Sequence, residues 1–182
     1  SSRPSGRFDG AAPLLRAWDM NDSIEEPKRR DNFSAEALDD GWVSWHLKDS
    51  SRFNSFLEPL SVREEPPTPD GRPCARVRML PERRHSNLGD NVHGAVSLGL
   101  VDVALFAASH QFGSLDAGHS VTLDLSTQFV GAGRIGEPLD ALVELVRETG
   151  RLIFLRGLVV QGANDDHIVL SFAGTIRKAS PK

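Results

Sequence analysis

The stretch "GAVSLGLVDVALFAA" (94–108) constrains the fold more than any other part of the chain. It has the length and composition of a helix that is apolar on nearly every side, its polar side chains being Ser97 and Asp102. Such a helix cannot lie on a wet surface and has to be enclosed by the rest of the domain. The chain beyond it is rich in strand signals. "SVTLDLSTQFV" (120–130) alternates Val121, Leu123, Leu125, Thr127 and Phe129 against Thr122, Asp124, Ser126 and Gln128. "PLDALVELVRETG" and "RLIFLRGLVVQG" meet at the turn "ETGR", and "HIVLSFAGTIRK" (167–178) comes after the turn "GANDD". Four or more strands joined by short turns after one long helix predict an α+β fold, a curved antiparallel sheet wrapped around a central helix.

Ahead of the helix, "EPLSVRE" and "RPCARVRML" flank the turn cluster "EPPTPDGRP" (65–73) and predict a hairpin. "DSSRFNSFL" (49–57) predicts a helix with Asp49 as its N-cap, and "GWVSWHL" (41–47) a short strand or an anchoring loop. Residues 1–48 form an N-terminal extension, either loose or draped over the domain. Its apolar groups Leu14, Leu15, Trp18 and Met20 are too few for a core of their own. Residues 49–182 are the domain; no repeat and no second domain is visible.

With 39% apolar and 25% charged residues, the 182-residue composition is that of a globular protein. A net charge of -4 argues against nucleic acid as the main partner. The single Cys74 excludes an intramolecular disulfide and a multi-cysteine metal site, and fits a reducing compartment. No apolar run is long enough to span a membrane, and the N-terminal residues lack the apolar core of a secretion signal. A cytoplasmic location is therefore expected.

Asp102 is the residue that needs a reason. Burying an ionised carboxylate costs several kcal/mol unless it is paired. It is either a structural partner for a turn or an arginine, or a reactive carboxylate tuned by partial burial. Gly94 stands where the helix should begin, and the unpaired N–H groups there suit an anion or a carbonyl gaining negative charge. Eight residues separate the two, which is about 12 Å along a helix. They cannot both touch one reacting carbonyl within one subunit. A two-fold dimer with antiparallel central helices would bring Asp102 of one chain to Gly94 of the other.

"NLGDNVHGAVSLGLVD" resembles the N-x-x-G-x-x-H-G-G…D signature of the hotdog-fold acyl-CoA thioesterases of the phenylacetate-degradation type. The strands after it are similar to those of that family, and the likeness covers roughly residues 55 to 178. The resemblance implies a hotdog fold, a homodimer or dimer of dimers with active sites at the dimer interface, and an acyl-CoA or aryl-CoA substrate. It implies Asp102 as general base or nucleophile and the Gly94 backbone N–H as oxyanion donor. Asn87 would hold the thioester or the water, His93 would shape the turn and polarise the carbonyl, and Thr122 would orient the water and the carboxylate. Asn87, His93 and Gly94 come from one chain, Asp102 and Thr122 from its partner. Ala95 departs from the family's second glycine and narrows the pocket beside the thioester; the N-terminal extension is a second departure.

The phosphates of coenzyme A need cations, and Arg134, Arg83 and Arg84 are candidates by position and charge. No cofactor is expected beyond coenzyme A as part of the substrate. His46, His85, His110, His119 and His167 lack metal-ligand spacing and read as surface or packing residues. Cys74 reads as a strand residue, and "GAGRIG" (131–136) as a turn, since a phosphate loop would need a helix after it. Trp42, Trp45, Phe106, Phe112, Phe129 and Ala95 are candidates to shape an acyl pocket. Two competing functions are a non-catalytic acyl-CoA-binding or regulatory protein and a hotdog enoyl-CoA hydratase. The hydratase would want an Asp-x4-His arrangement that this helix lacks.

Overall fold

A computed structural model describes residues 33–115 and 120–179. Its centre is α2 (Gly94–Gln111), which runs through the whole apolar stretch and three residues beyond it. His93 is its N-cap, with extended backbone, and the chain leaves the helix at Phe112, ahead of Gly113 in the left-handed region at φ 70°.

Around α2 lie β4 (Leu60–Glu65), β5 (Cys74–Met79), β6 (Val121–Phe129), β7 (Leu139–Glu148), β8 (Leu152–Gln161) and β9 (His167–Arg177). With the short β2 (Val43–Ser44) they make one antiparallel sheet in the order β2-β4-β5-β7-β8-β9-β6. The helix touches β4 to β9, the six long strands. This is the hotdog arrangement. Leu100, Val101, Ala104, Leu105, Ala107 and Ala108 have no exposed surface, and they meet Val77, Met79, Leu139, Ile153, Leu170 and Ile176, which are equally sealed. Each fully buried leucine contributes about 1.5–3 kcal/mol. The alternation of large and small residues on the helix lets the sheet close round it on several sides.

Two sequence expectations change on this frame. The segment 49–57 is helical only over α1 (Asn54–Leu57), and Asp49 caps no helix. Its Oδ1 accepts from the Ser51 N–H and hydroxyl, so the carboxylate stabilises a local turn instead. The strict alternation expected of β6 also fails. A bulge between Thr122 and Asp124 leaves Leu123 out of the pairing with β9, so Thr122, Leu125 and Thr127 are the half-buried residues.

Within residues 33–48, β1 (Phe33–Ser34) pairs with β3 (His46–Leu47), and β2 caps the β4 edge. Trp42 stacks under the guanidinium groups of Arg63 and Arg78, at 4.7 and 4.5 Å from its ring, and Trp45 packs against the core. Trp42, Trp45 and the β2–β4 pairing hold residues 42–45 on the sheet. Leu14, Leu15, Trp18 and Met20 lie outside the described residues. Among the described residues, no helix is long and apolar enough to cross a membrane.

Candidate active site

Asp102 sits half-buried in the middle of α2, where the helix turns its side toward the edge strand β6. The Thr122 hydroxyl donates to its Oδ1 at 2.6 Å. The bulge makes this contact. In a regular strand Thr122 and Leu125 would face opposite ways; with Leu123 extruded, both face the helix. Thr122 stands beside Ile176, which is fully buried, while Leu123 is 53% exposed. Among the described residues only this one Asp102 oxygen is hydrogen-bonded, and the other is an acceptor by its chemistry.

The second group of residues gathers at the start of α2. The His93 Nδ1 accepts from the Ala95 N–H at 3.0 Å, so the neutral ring carries its proton on Nε2. The Val96 and Ser97 N–H groups go to the His93 carbonyl. The Gly94 N–H makes no hydrogen bond among the described residues, at the positive end of an 18-residue helix. A Cβ on Gly94 would lie 3.2 Å from the Phe129 ring, so the glycine lets β6 close over the helix start. Asn87 is exposed, and its Oδ1 accepts from the Gly89 and Asn91 N–H groups at 2.8 and 3.2 Å. Asn87, His93 and Arg83 border a surface groove of about 800 Å³ together with Leu88, Asp90 and Asn91.

The five sequence-derived residues thus fall into two sets, Asp102 with Thr122 and Asn87 with His93 and Gly94. Because α2 is one uninterrupted helix, Asp102 lies about 12 Å along the axis from Gly94. One chain does not bring the sets onto one reacting atom.

Arg83, Arg84 and Arg134 each already have a carboxylate. Arg83 is paired with Asp90, Arg84 with Glu82 at 3.2 Å, and Arg134 with Glu137 at 3.0 Å. A phosphate would compete with these exposed pairs. Of the aromatic candidates, Phe129 lies at the helix start, Trp45, Phe106 and Phe112 pack on the core, and Trp42 stacks on the arginines. His85 is fully buried, its Nδ1 accepting from the Glu82 N–H and its Nε2–H reaching the Phe56 carbonyl at 2.6 Å. His46 meets Glu58, His110 lies edge-on to Trp45, and His167 donates to the Ala132 carbonyl. His119 lies outside the described residues. Burial pushes the Cys74 thiol up, away from thiolate chemistry. Among the described residues, no cluster of three or more His, Cys, Asp or Glu is placed to hold a metal ion.

Two features escaped the sequence reading. Three positions before His93, where the signature has its first glycine, this chain has Asp90, and its φ of 58° is the left-handed backbone that glycine would take freely. Gly89 lies one residue earlier, so the signature is met less closely than the spelling suggests. The second feature is Gln161, a buried amide at the end of β8 that holds the backbone of the turn next to the loop carrying Asn87 and His93. No sequence motif marks it.

The sequence model of the thioesterase superfamily matches residues 89–166. No curated protein matches the chain. Among solved structures, zebrafish thioesterase superfamily member 2 is 22% identical at a TM-score of 0.58, covering 71% of this chain and 88% of its own. The PaaI protein of the Escherichia coli phenylacetic acid degradation operon is 20% identical at 0.51, covering 60% and 75%. A variant of the phenylacetic acid degradation protein PaaI from Thermus thermophilus is 22% identical at 0.53, covering 70% and 98%. At these identities the likeness to the three structures is one of fold.

Proposed function

We propose, from the premise that the chain is a hotdog-fold protein of the thioesterase superfamily, that it hydrolyses an acyl- or aryl-CoA thioester to the free acid and coenzyme A. The observation that carries this reading is the Thr122–Asp102 hydrogen bond at 2.6 Å. It aims a half-buried carboxylate on an otherwise apolar helix and leaves one oxygen for a reactant.

The working site is built from two copies. In a homodimer with antiparallel central helices, Asp102 and Thr122 of one protomer face the Asn87, His93 and Gly94 loop of its partner. The exposed apolar side chains of the edge strand and its exit, Val121, Leu123, Phe129 and Val130, support β6 as the strand that meets the second copy. Pairing of such dimers would give a dimer of dimers.

The thioester oxygen accepts from the partner's helix start, where the Gly94 N–H and the helix dipole favour negative charge. His93 Nε2–H and the Asn87 amide are further donors on the same side. Acting as base, Asp102 takes a proton from water while the water oxygen adds to the carbonyl carbon. The tetrahedral oxyanion collapses, the C–S bond breaks, and the thiolate of coenzyme A leaves with a proton. Acting as nucleophile, Asp102 adds first, forms a mixed anhydride and releases the thiolate, and water then cleaves the anhydride. Single turnover in 18O water that puts label into Asp102 identifies the second route, with water attacking the Asp102 carbon of the anhydride; where the label goes only to the acid, trapping of the acyl group on Asp102 separates the two routes. Thr122 fixes the carboxylate in either route. The phosphates of coenzyme A are served by arginines at the rim of the groove, Arg83 and Arg84 beside Asn87 and Arg134 on the adjoining turn. No cofactor takes part.

Thiol release from a panel of acyl- and aryl-CoA thioesters tests the proposal. Asp102→Asn is expected to lower kcat by roughly 10²–10⁴-fold while the protein stays folded and associated. Turnover unchanged in that variant would refute the assignment. Tight acyl-CoA binding without turnover by the natural chain would make it a binding protein instead.

A further inference from the structure

We infer that Gln161 is a positioning residue for the reaction proposed above, acting on the oxyanion donor through the turn 131–137. The inference rests on the hydrolase reading. Gln161 is the last residue of β8 and is 2% exposed. Its Oε1 accepts from the Arg134 N–H at 2.6 Å, and its Nε2 donates to the carbonyls of Arg134 and Glu137 at 2.9 and 3.2 Å. Every donor of the amide is spent on the backbone of a turn elsewhere in sequence. A leucine would fill such a strand end without the cost of burying an amide. The amide is therefore explained by the turn it holds.

That turn in turn holds the candidate active-site loop. Asn91 forms a bridge with Arg134, and the Val92 N–H donates to the Gly133 carbonyl at 2.8 Å. A Cβ on Gly133 would lie 3.0 Å from the Val92 side chain, so the two backbones touch closely. The Gly136 N–H reaches the Pro81 carbonyl at 2.8 Å, at the head of the same loop. Val92 is followed by His93, whose ring caps α2 beside Gly94. Direct contacts thus link Gln161 to Arg134, Arg134 and its chain neighbour Gly133 to Asn91 and Val92, and these to the N-cap. His167 holds the Ala132 carbonyl at the other end of the turn. Gln161 touches none of the candidate catalytic groups.

A shift of about 1 Å in a reacting geometry is worth roughly 10²-fold in rate. For Gln161→Leu, measured where circular dichroism shows it folded, kcat should fall by about 10-fold or more, the loss from the displaced oxyanion donor, while a rise in KM reports the Arg134 side chain that rides on the same turn. Gln161→Glu separates positioning from bulk stability. Its protonated carboxyl keeps the acceptor and one of the amide's two donors, whereas the carboxylate faces two carbonyl oxygens with none. Its kcat relative to the natural chain should therefore recover as pH falls. Gly133→Ala wedges the same joint without touching Gln161 and should lower kcat alike. Hydrogen exchange adds a readout independent of turnover: in Gln161→Leu the Val92 and His93 amides should exchange faster while the middle of α2 stays protected. Unchanged kcat in folded Gln161→Leu overturns the inference. Should that variant not fold, a flat relative pH profile for Gln161→Glu with full activity of Gly133→Ala overturns it equally. A natural chain that hydrolyses no thioester refutes the hydrolase reading, and with it the role assigned to Gln161, even where the exchange data show the turn holding the loop.

Discussion

Asp165 receives both outer nitrogens of Arg76, which also reaches Asp140 and Glu65, and the whole knot lies on the sheet face turned away from α2. The Arg76 hydrogen bonds hold the Asp165 carboxyl below its usual value, against a smaller opposing effect of burial. A carboxyl lowered by folding stabilises the fold above its unfolded pKa, near 3.9, and loses that contribution as pH falls through the lower folded value. The Tm difference between the natural chain and Asp165→Asn should therefore be present at pH 7 and close as pH is taken below about 4. A difference that stays constant down to acid pH would show that the pair contributes nothing through its charge. At this scale the half-buried place of Asp102 on the helix and of Gly94 at its start was legible from type and position alone. Asp90 and Gln161 were not, since one owes its part to a backbone angle and the other to partners that are backbone atoms.

The elements were mostly legible because burial imposes a period. The central helix and the strands β4 to β9 all fall where apolar spacing puts them, and the turns fall at the Gly, Pro and Asp clusters. The length of α1 was misjudged because Phe53 and Phe56 at helical spacing stay exposed, so little burial extends the helix. The bulge in β6 was invisible for a different reason. One extruded residue leaves the alternating spelling intact and reverses its meaning from that point on. Deleting Leu123 should restore regular pairing with β9 and leave Thr122 and Leu125 two apart on one face, still toward the helix. Thr122→Val removes the hydroxyl instead, and thiol release should then fall at least about 10-fold, with the circular dichroism spectrum preserved. Full activity in that variant would mean that the Thr122 contact is dispensable.

For the whole molecule, the distance along α2 makes the decisive prediction. Gly94 is the first helical residue, a position where proline is tolerated, and His93 before it is already extended. Gly94→Pro therefore deletes the N–H donor and keeps the helix, provided the half-exposed Phe129 ring gives way by a few tenths of an ångström. Mixed with Asp102→Asn, each variant inactive alone, it should restore activity. A mixed dimer holds one site with both lesions and one with neither, so random exchange returns about a quarter of the natural rate. No recovery after verified subunit exchange would place both groups in one chain's site. The order of elements has a consequence of another kind, at the ribosome. β4 and β5 are made before α2, but β6 to β9 come after it. At roughly 5–20 residues per second, the helix waits some seconds for most of its cover. Through that interval most of its apolar surface lacks the cover that β6 to β9 give it in the folded chain, and Asp102 is the one acidic group along its length.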